Sequence, residues 1–425
     1  MRIVIAGQTY YPGNNGQAVF TIQLAEGLAR AGHEPHVLVA NDRFQYALEE
    51  INGVRIHKLR ALNFRLLHPE ANLALLPRIG ALLRDISPDI VHIQDHYFLA
   101  RDVTLAARRL RIPIIGTNHF LPENVLPYLK LVPLTRRAKI AALWALMLWT
   151  YNTLAEVTTP THTAAAILAD AGIRVPVTAV SCGVDTHLFR PSAGDGPDSS
   201  LRAQTCAAFD LDPQAVRLLY VGRLDREKRV DLLLRGLEIL VRAGRTGLQF
   251  VIAGQGAAEA ELRAQARTLG LEPYTRFLGF VPNDLLPVLY QSAHIFAMPS
   301  PEELQSIATL EAMASGLPIL AADARALPEL VAAGENGLLF TPGSPESAAH
   351  GMAALLDQRA AWPGMGRVSR ERSLSHSING TIRRYEEIYH RLAGSVQAQA
   401  RIYAGRREVV SETVEIRTGE RFRKA

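Results

Sequence analysis

Short apolar runs without polar alternation recur along this chain, and each leads through a loop into a segment with helical spacing. Residues 2–6 are the first such run. A loop rich in Gly, Asn and Pro follows over 7–17, and 18–31 place Val19, Ile22, Leu24, Ala25, Leu28 and Ala29 on one helical face before Gly32 stops the helix. Val37 to Ala40 make the second run. Lack of alternation is what burial on both faces of a parallel sheet produces. The pattern continues with Ile90 to Ile93, a helical stretch at 99–110, Ile112 to Gly116, a strand at 157–159 and a helix at 161–171. Composition then shifts to Pro, Gly, Ser and Asp over 188–200, which reads as a linker. Beyond it the alternation restarts: strand 218–221, helix 229–243, strand 250–253, helix 257–269, strands 276–278 and 294–298, a helix from 306 and strand 318–320. The expectation is an α/β fold of two Rossmann-like, doubly wound parallel-sheet domains. Their bounds are 1–187 and 201–377, with an amphipathic helix at 378–393 completing the first and a polar tail at 394–425.

The 425 residues, 48% of them hydrophobic, suffice for two cores. Only Cys182 and Cys206 are present, so neither a disulfide framework nor a Cys-based zinc site is expected. The run 2–7 is too short for a signal peptide. The longest apolar stretch, Ile140 to Trp149, falls far below the ~20 residues that span a bilayer. A cytoplasmic protein is expected, soluble or peripheral on the inner face of the cell membrane. The net charge of +5 suits phosphates or an anionic membrane, and no nucleic-acid motif accompanies it. A nicotinamide dehydrogenase would need G-x-G-x-x-G, which is absent.

The strongest motif is 299–318, Pro-Ser-Pro-Glu-Glu-Leu-Gln-Ser-Ile-Ala-Thr-Leu-Glu-Ala-Met-Ala-Ser-Gly-Leu-Pro. Ser306 is a natural N-cap, and Gly316 a natural stop. The free N–H groups from Ser306 and Ile307 onward would seat a diphosphate. Glu303 precedes this helix start and Glu311 lies inside the helix; carboxylates are pure acceptors and so suit sugar hydroxyls. The second motif, Gly222-Arg223-Leu224-Asp225-Arg226-Glu227-Lys228-Arg229, sets cations at the end of a strand, where they can neutralise a leaving diphosphate.

Two glutamates separated by seven residues and followed by Ala-Met-Ala-Ser-Gly-x-Pro resemble the signature of family 4 of the retaining glycosyltransferases, which have the GT-B fold. The resemblance spans roughly 1–393 and implies two domains facing a central cleft, with the acceptor on the N-terminal side. It implies that Glu303 contacts the donor sugar, Glu311 the ribose, and Arg223 and Lys228 the diphosphate, with Arg229 a substitute. Gly16 corresponds to a cleft glycine that the family commonly doubles; Asn15 stands in place of its partner. His119, in Gly-Thr-Asn-His-Phe, resembles the family's histidine facing the sugar, with His92 and His96 ranked behind it. Gly254 and the strand–turn from Phe277 to Pro282, with Val281 in it, resemble the loops lining the nucleotide. Gln305 and Ser306 depart from the family's common Phe-Gly.

The implied reaction is retaining hexosyl transfer from a nucleotide-diphosphate sugar, a UDP-sugar first and GDP-mannose next, to a hydroxyl acceptor. It needs no metal ion and no cofactor, since the nucleotide sugar is a substrate. A sugar-nucleotide epimerase or hydrolase of the same fold is the alternative. Residues 124–155 carry Lys130, Arg136, Arg137 and Lys139 and no acid, which suits an anionic leaflet and a lipid or glycolipid acceptor. The all-round apolar character of 141–149 instead predicts a buried helix for that part.

Overall fold

The computed structural model describes residues 1–11, 15–41, 46–63, 72–74, 79–128, 135–192 and 200–395. Pro12, Gly13, Asn14 and Lys130, most of the 188–200 linker and the tail beyond Ser395 lie outside the described residues.

Two sheets organise the chain. In the first, strands run in the order Ala47–Ile51, Val54–Asn63, Glu34–Asn41, Arg2–Ala6, Ile90–Ile93, Ile114–Thr117, Glu156–Thr159 and Val177–Ala179, and Asn72–Ala74 pairs with Val54–Asn63. Apart from the strands Ala47–Ile51 and Asn72–Ala74, all pairs are parallel. The second sheet is wholly parallel, in the order Thr275–Gly279, Leu248–Ala253, Val216–Val221, Ile295–Met298, Ile319–Ala322 and Gly337–Phe340. Each sheet therefore reverses direction beside its first strand, the doubly wound arrangement. Strands Ile90–Ile93, Leu248–Ala253, Ile295–Met298 and Ile319–Ala322 are buried at every position, which is why their sequences do not alternate.

Periodicity assigns no element to 41–89, whereas the structure has a hairpin there. Asn52 and Gly53 both take positive φ, 50° and 78°, joining Ala47–Ile51 to Val54–Asn63. Asn-Gly is the pair that a two-residue hairpin turn favours.

The first sheet is covered on both faces. Ile3, Ile5, Phe20, Leu24 and Val37 pack on one side with Ile378, Ile382, Tyr385 and Tyr389. Val4, Ala6, Leu38, Val91, Leu99 and Met147 form the other. The residues from 378 onward belong to a helix over 378–395 that returns to the first sheet after the second is complete. It lies so close to helix Gly16–Arg30 that a Cβ on Gly27 would overlap Ile382 Cδ1.

Helix Arg136–Tyr151 corrects one expectation. It buries only Met147, Thr150 and Tyr151, while Ala141, Ala142 and Ala145 are exposed and Trp149 is 50% exposed. Most of the outward positions are alanines, whose exposure forfeits little hydrophobic free energy, so all-round apolarity does not enforce burial here. No helix among the described residues is long and apolar enough to cross a membrane.

Candidate active site

In an open α/β sheet, ligands bind outside the carboxyl ends of the strands where the order reverses. In the first sheet that point lies between Arg2–Ala6 and Ile90–Ile93, and in the second between Val216–Val221 and Ile295–Met298. The loops leaving these four strands carry most of the residues singled out from the sequence. Across the cleft the two halves touch: a Cβ on Gly16 would lie 3.9 Å from Ile307 Cδ1.

Ser306, φ −95° and ψ 105°, caps helix Ile307–Ala314, its Oγ accepting from Thr309 N at 3.1 Å. Just before this start, Glu303 accepts from Lys228 Nζ at 2.7 Å, and both side chains are largely buried. Lys228 is delivered by the short 3-10 turn Arg226–Lys228, which Arg229 closes in a left-handed conformation. Arg223 is also neutralised, by Asp225 and by Glu227, the latter at 2.8 Å. Both cations thus already hold carboxylates.

Glu311 lies one helical turn further in. Its carboxylate is buried and accepts from Tyr290 Oη at 2.8 Å. Burial pushes its pKa from 4.5 up to about 7, and the tyrosine hydrogen bond opposes part of that rise. Tyr290 carries no sequence signal that would single it out; only its place on the helix Leu286–Ser292 reveals it.

The glycines at 222 and 254 have an internal explanation. Gly222 has φ +155° and Gly254 φ +141°, and a Cβ on Gly254 would overlap the Gly222 carbonyl. The two loops pack backbone to backbone at the sheet edge. Val281, in the adjoining turn, is buried.

On the first half, His119 Nε2 donates to Gln94 Oε1 at 2.9 Å and its ring packs on Phe20. Burial holds its pKa down at about 3, so the ring is neutral at pH 7 and Nδ1 is the acceptor nitrogen. His92 is instead wholly structural: Nδ1 and Nε2 lie 2.6 Å from Tyr389 Oη and Thr117 Oγ1 inside the core. His96 is buried against Tyr97, Phe120 and Tyr151. Asn15 caps helix Gly16–Arg30, its Oδ1 accepting from Ala18 N at 2.8 Å; that explains an asparagine before Gly16. Sequence reasoning passed over Asp95, which accepts from Gln8 N at 2.8 Å and Gln17 Nε2 at 3.2 Å and so ties the two cleft loops together.

The chain's Asp-x-Asp spacing, Asp210-Leu211-Asp212, lies away from all of this. It precedes Val216–Val221 at the amino edge of the second sheet, where Asp210 pairs with Arg276.

The model of glycosyl transferases group 1 matches residues 207–371, and that of glycosyltransferase family 4 matches 14–188. A D-inositol 3-phosphate glycosyltransferase of Corynebacterium glutamicum is 30% identical over 324 residues, covering 72% of each chain. The chain belongs to glycosyltransferase family 4. This glycosyltransferase is also similar to a GDP-mannose-dependent alpha-mannosyltransferase of Corynebacterium glutamicum, 27% identical over 80% of this chain and 76% of the other. Among solved structures, sucrose-phosphate synthase from Thermosynechococcus elongatus superposes with a TM-score of 0.75 at 19% identity, covering 93% of this chain and 100% of that one. Anabaena HepE in complex with UDP gives 0.71 at 18% identity, covering 92% and 100%. The fold is GT-B, and the glycosyltransferase takes a nucleotide-sugar donor and a hydroxyl acceptor.

Proposed function

We propose that this glycosyltransferase moves a hexose, with retention at the anomeric carbon and without a metal ion or other cofactor, from a nucleotide-diphosphate sugar to a lipid hydroxyl. The observation that carries the proposal is the Lys228–Glu303 pair, 2.7 Å apart, beside the capped start of helix Ile307–Ala314. Lys228 and Arg223 would turn to the diphosphate as charge develops on it, reinforced by the helix N–H groups. Glu303, released from the lysine, would accept from a sugar hydroxyl, and Glu311 from the ribose. Gly222, Gly254 and Val281 would line the nucleotide, and neutral His119 would face the sugar from the opposite wall near Gly16.

In the chemical step the C1–O bond to the β-phosphate breaks, the acceptor oxygen bonds to C1 on the same face, and its proton passes to a phosphate oxygen. No protein nucleophile is required.

GDP-mannose takes first place as donor and a UDP-sugar second, reversing the sequence expectation. The support is the name of the alpha-mannosyltransferases, whose similarity extends over most of both chains; the UDP-bound structures, at 18% identity, support the fold alone. For a lipid acceptor the support is helix Arg136–Tyr151. It is free of acids, with Arg136 and Arg137 exposed at its start. Its Trp149 lies against Arg101, which also stacks on exposed Phe98. Aromatic and basic groups on one surface suit an anionic leaflet on the inner face of a membrane. An alpha-monoglucosyldiacylglycerol synthase of Streptococcus pneumoniae, 24% identical over 76% of this chain and 71% of the other, points the same way.

The deciding experiment is metal-free calorimetry of GDP and UDP with wild type and Glu311→Ala. Binding of one nucleotide that weakens in the variant supports the donor site and names the base; binding of neither overturns it. Release of nucleoside diphosphate that an added acceptor speeds well above the slow release to water excludes an epimerase or hydrolase.

A further inference from the structure

The loop that carries Glu303 is held by both halves of the molecule at once. Glu303 and Ser306 face the second half, through Lys228 and the helix they precede. The two residues between them do the opposite. Leu304 O accepts from Thr161 Oγ1 at 2.8 Å, and the Leu304 side chain packs with Leu121 and Ala164 of the first half. Gln305, 9% exposed, extends its amide across the boundary: Oε1 accepts from Cys182 N at 2.7 Å and Ser181 Oγ at 3.1 Å, and Nε2 donates to Pro160 O at 3.3 Å. Pro160 follows strand Glu156–Thr159, and Ser181 and Cys182 follow Val177–Ala179. The receiving corner is itself fixed, since Thr381 Oγ1 donates to Ser181 O at 2.9 Å and His376 Nδ1 meets Ser181 Oγ at 3.0 Å.

We propose that Gln305 is a positioning residue, which sets the Glu303 carboxylate according to where the first half lies. An amide is the side chain that can do this here, because the corner offers two donors and one acceptor. The phenylalanine common at this position in the family has neither. Any displacement of one half against the other at the cleft must either break these three hydrogen bonds or move the backbone next to Glu303. A shift of about 1 Å in a group that orients substrate can change turnover on the order of 100-fold. The ribose side of the site, at Glu311, is anchored separately by Tyr290, so nucleotide affinity and turnover respond differently to the loss of Gln305. The inference rests on the assignment of Glu303 to the donor sugar.

The test uses the full chain with Gln305→Ala, Gln305→Glu and Ser181→Ala. GDP and UDP binding are followed by calorimetry, and turnover by breakdown of GDP-mannose or UDP-glucose with water as acceptor. Gln305→Ala is expected to lower kcat by about tenfold or more with nucleotide Kd changed less than about threefold. Gln305→Glu keeps both acceptor bonds but sets a carboxylate oxygen against Pro160 O, so it should recover the rate only in part. Ser181→Ala should lower kcat slightly, with no further loss when added to Gln305→Ala. A kcat within about twofold of wild type overturns the proposal, and so does an equal fall in kcat and nucleotide affinity. If Gln305→Ala does not fold, Gln305→Met, which keeps the length of the side chain and removes its hydrogen bonds, decides by the same criteria. Amide hydrogen exchange separates this question from the donor assignment, since it needs no nucleotide. Loss of the tie should speed exchange about tenfold at Cys182 and across 303–306 together. Acceleration at Cys182 alone would overturn the coupling even if neither nucleotide binds to wild type.

Discussion

Tyr290 Oη lies 2.8 Å from Glu311 Oε2, so a buried carboxylate accepts a hydrogen bond from a phenol. Burial raises the Glu311 pKa from 4.5 to about 7. Because the folded value exceeds the unfolded one, the native state binds the proton more tightly. The resulting stability is fully present below about pH 4.5 and is lost as pH rises through about 7. The shift corresponds to roughly 3 kcal/mol at ~1.4 kcal/mol per unit. Glu311→Gln should therefore gain thermal stability over wild type at pH 8 and little or none at pH 4.5. Melting scans at the two pH values check this; an unchanged difference would show that Glu311 titrates normally.

Removing the hydroxyl while keeping the ring sharpens the point. The hydrogen bond from Tyr290 works against the effect of burial. Tyr290→Phe should accordingly push the Glu311 pKa higher still and weaken nucleotide binding at pH 7. Titrating nucleotide affinity from pH 6 to 9 should show the midpoint displaced upward in the variant.

Lys228→Ala leaves Glu303 without its cation and removes one charge proposed to meet the diphosphate. Turnover should fall by about 10²–10³, the range for losing one preorganised electrostatic contact. A decrease below fivefold, measured at saturating donor, would assign the charge work to Arg223.

Trp149 and Phe98 are about half exposed, so Trp149→Ala with Phe98→Ala should change stability by little, of order 0.5 kcal/mol. Binding to vesicles containing phosphatidylglycerol should drop severalfold, with no change toward a soluble sugar acceptor. Equal vesicle binding by the double variant and wild type would remove the membrane role of this face.

Tyr389→Phe tests the helix over 378–395. It strips the partner from His92 Nδ1 in a fully buried setting. An unsatisfied buried group costs about 1–3 kcal/mol, which a urea midpoint will register.

What could be read from the residues follows from the range of the forces involved. The parallel strands announce themselves because burial on both faces removes polar residues, as in Ile295–Met298. The capped helix at Ser306 is legible because capping is a local interaction within three residues. Helix Arg136–Tyr151 misled because apolar residues do not state what surrounds them. Asp95, Tyr290 and the part played by Gln305, which the sequence shows only as a departure from the family's phenylalanine, were hidden for a different reason. Each acts on a partner distant in sequence, such as Gln305 on Cys182, and no spacing rule connects them.

The helix over 378–395 has a consequence for how the protein is made. Tyr385 and Tyr389 close the core around Phe20 and Ile5, yet the ribosome produces them only after the whole second half. At roughly 5–20 residues per second, the first half stands open for about 10–40 s during each round of synthesis. Throughout that interval its apolar face waits for a wedge that does not yet exist. Chaperone demand during translation should therefore fall on the first half, even though it is the half that leaves the ribosome earliest.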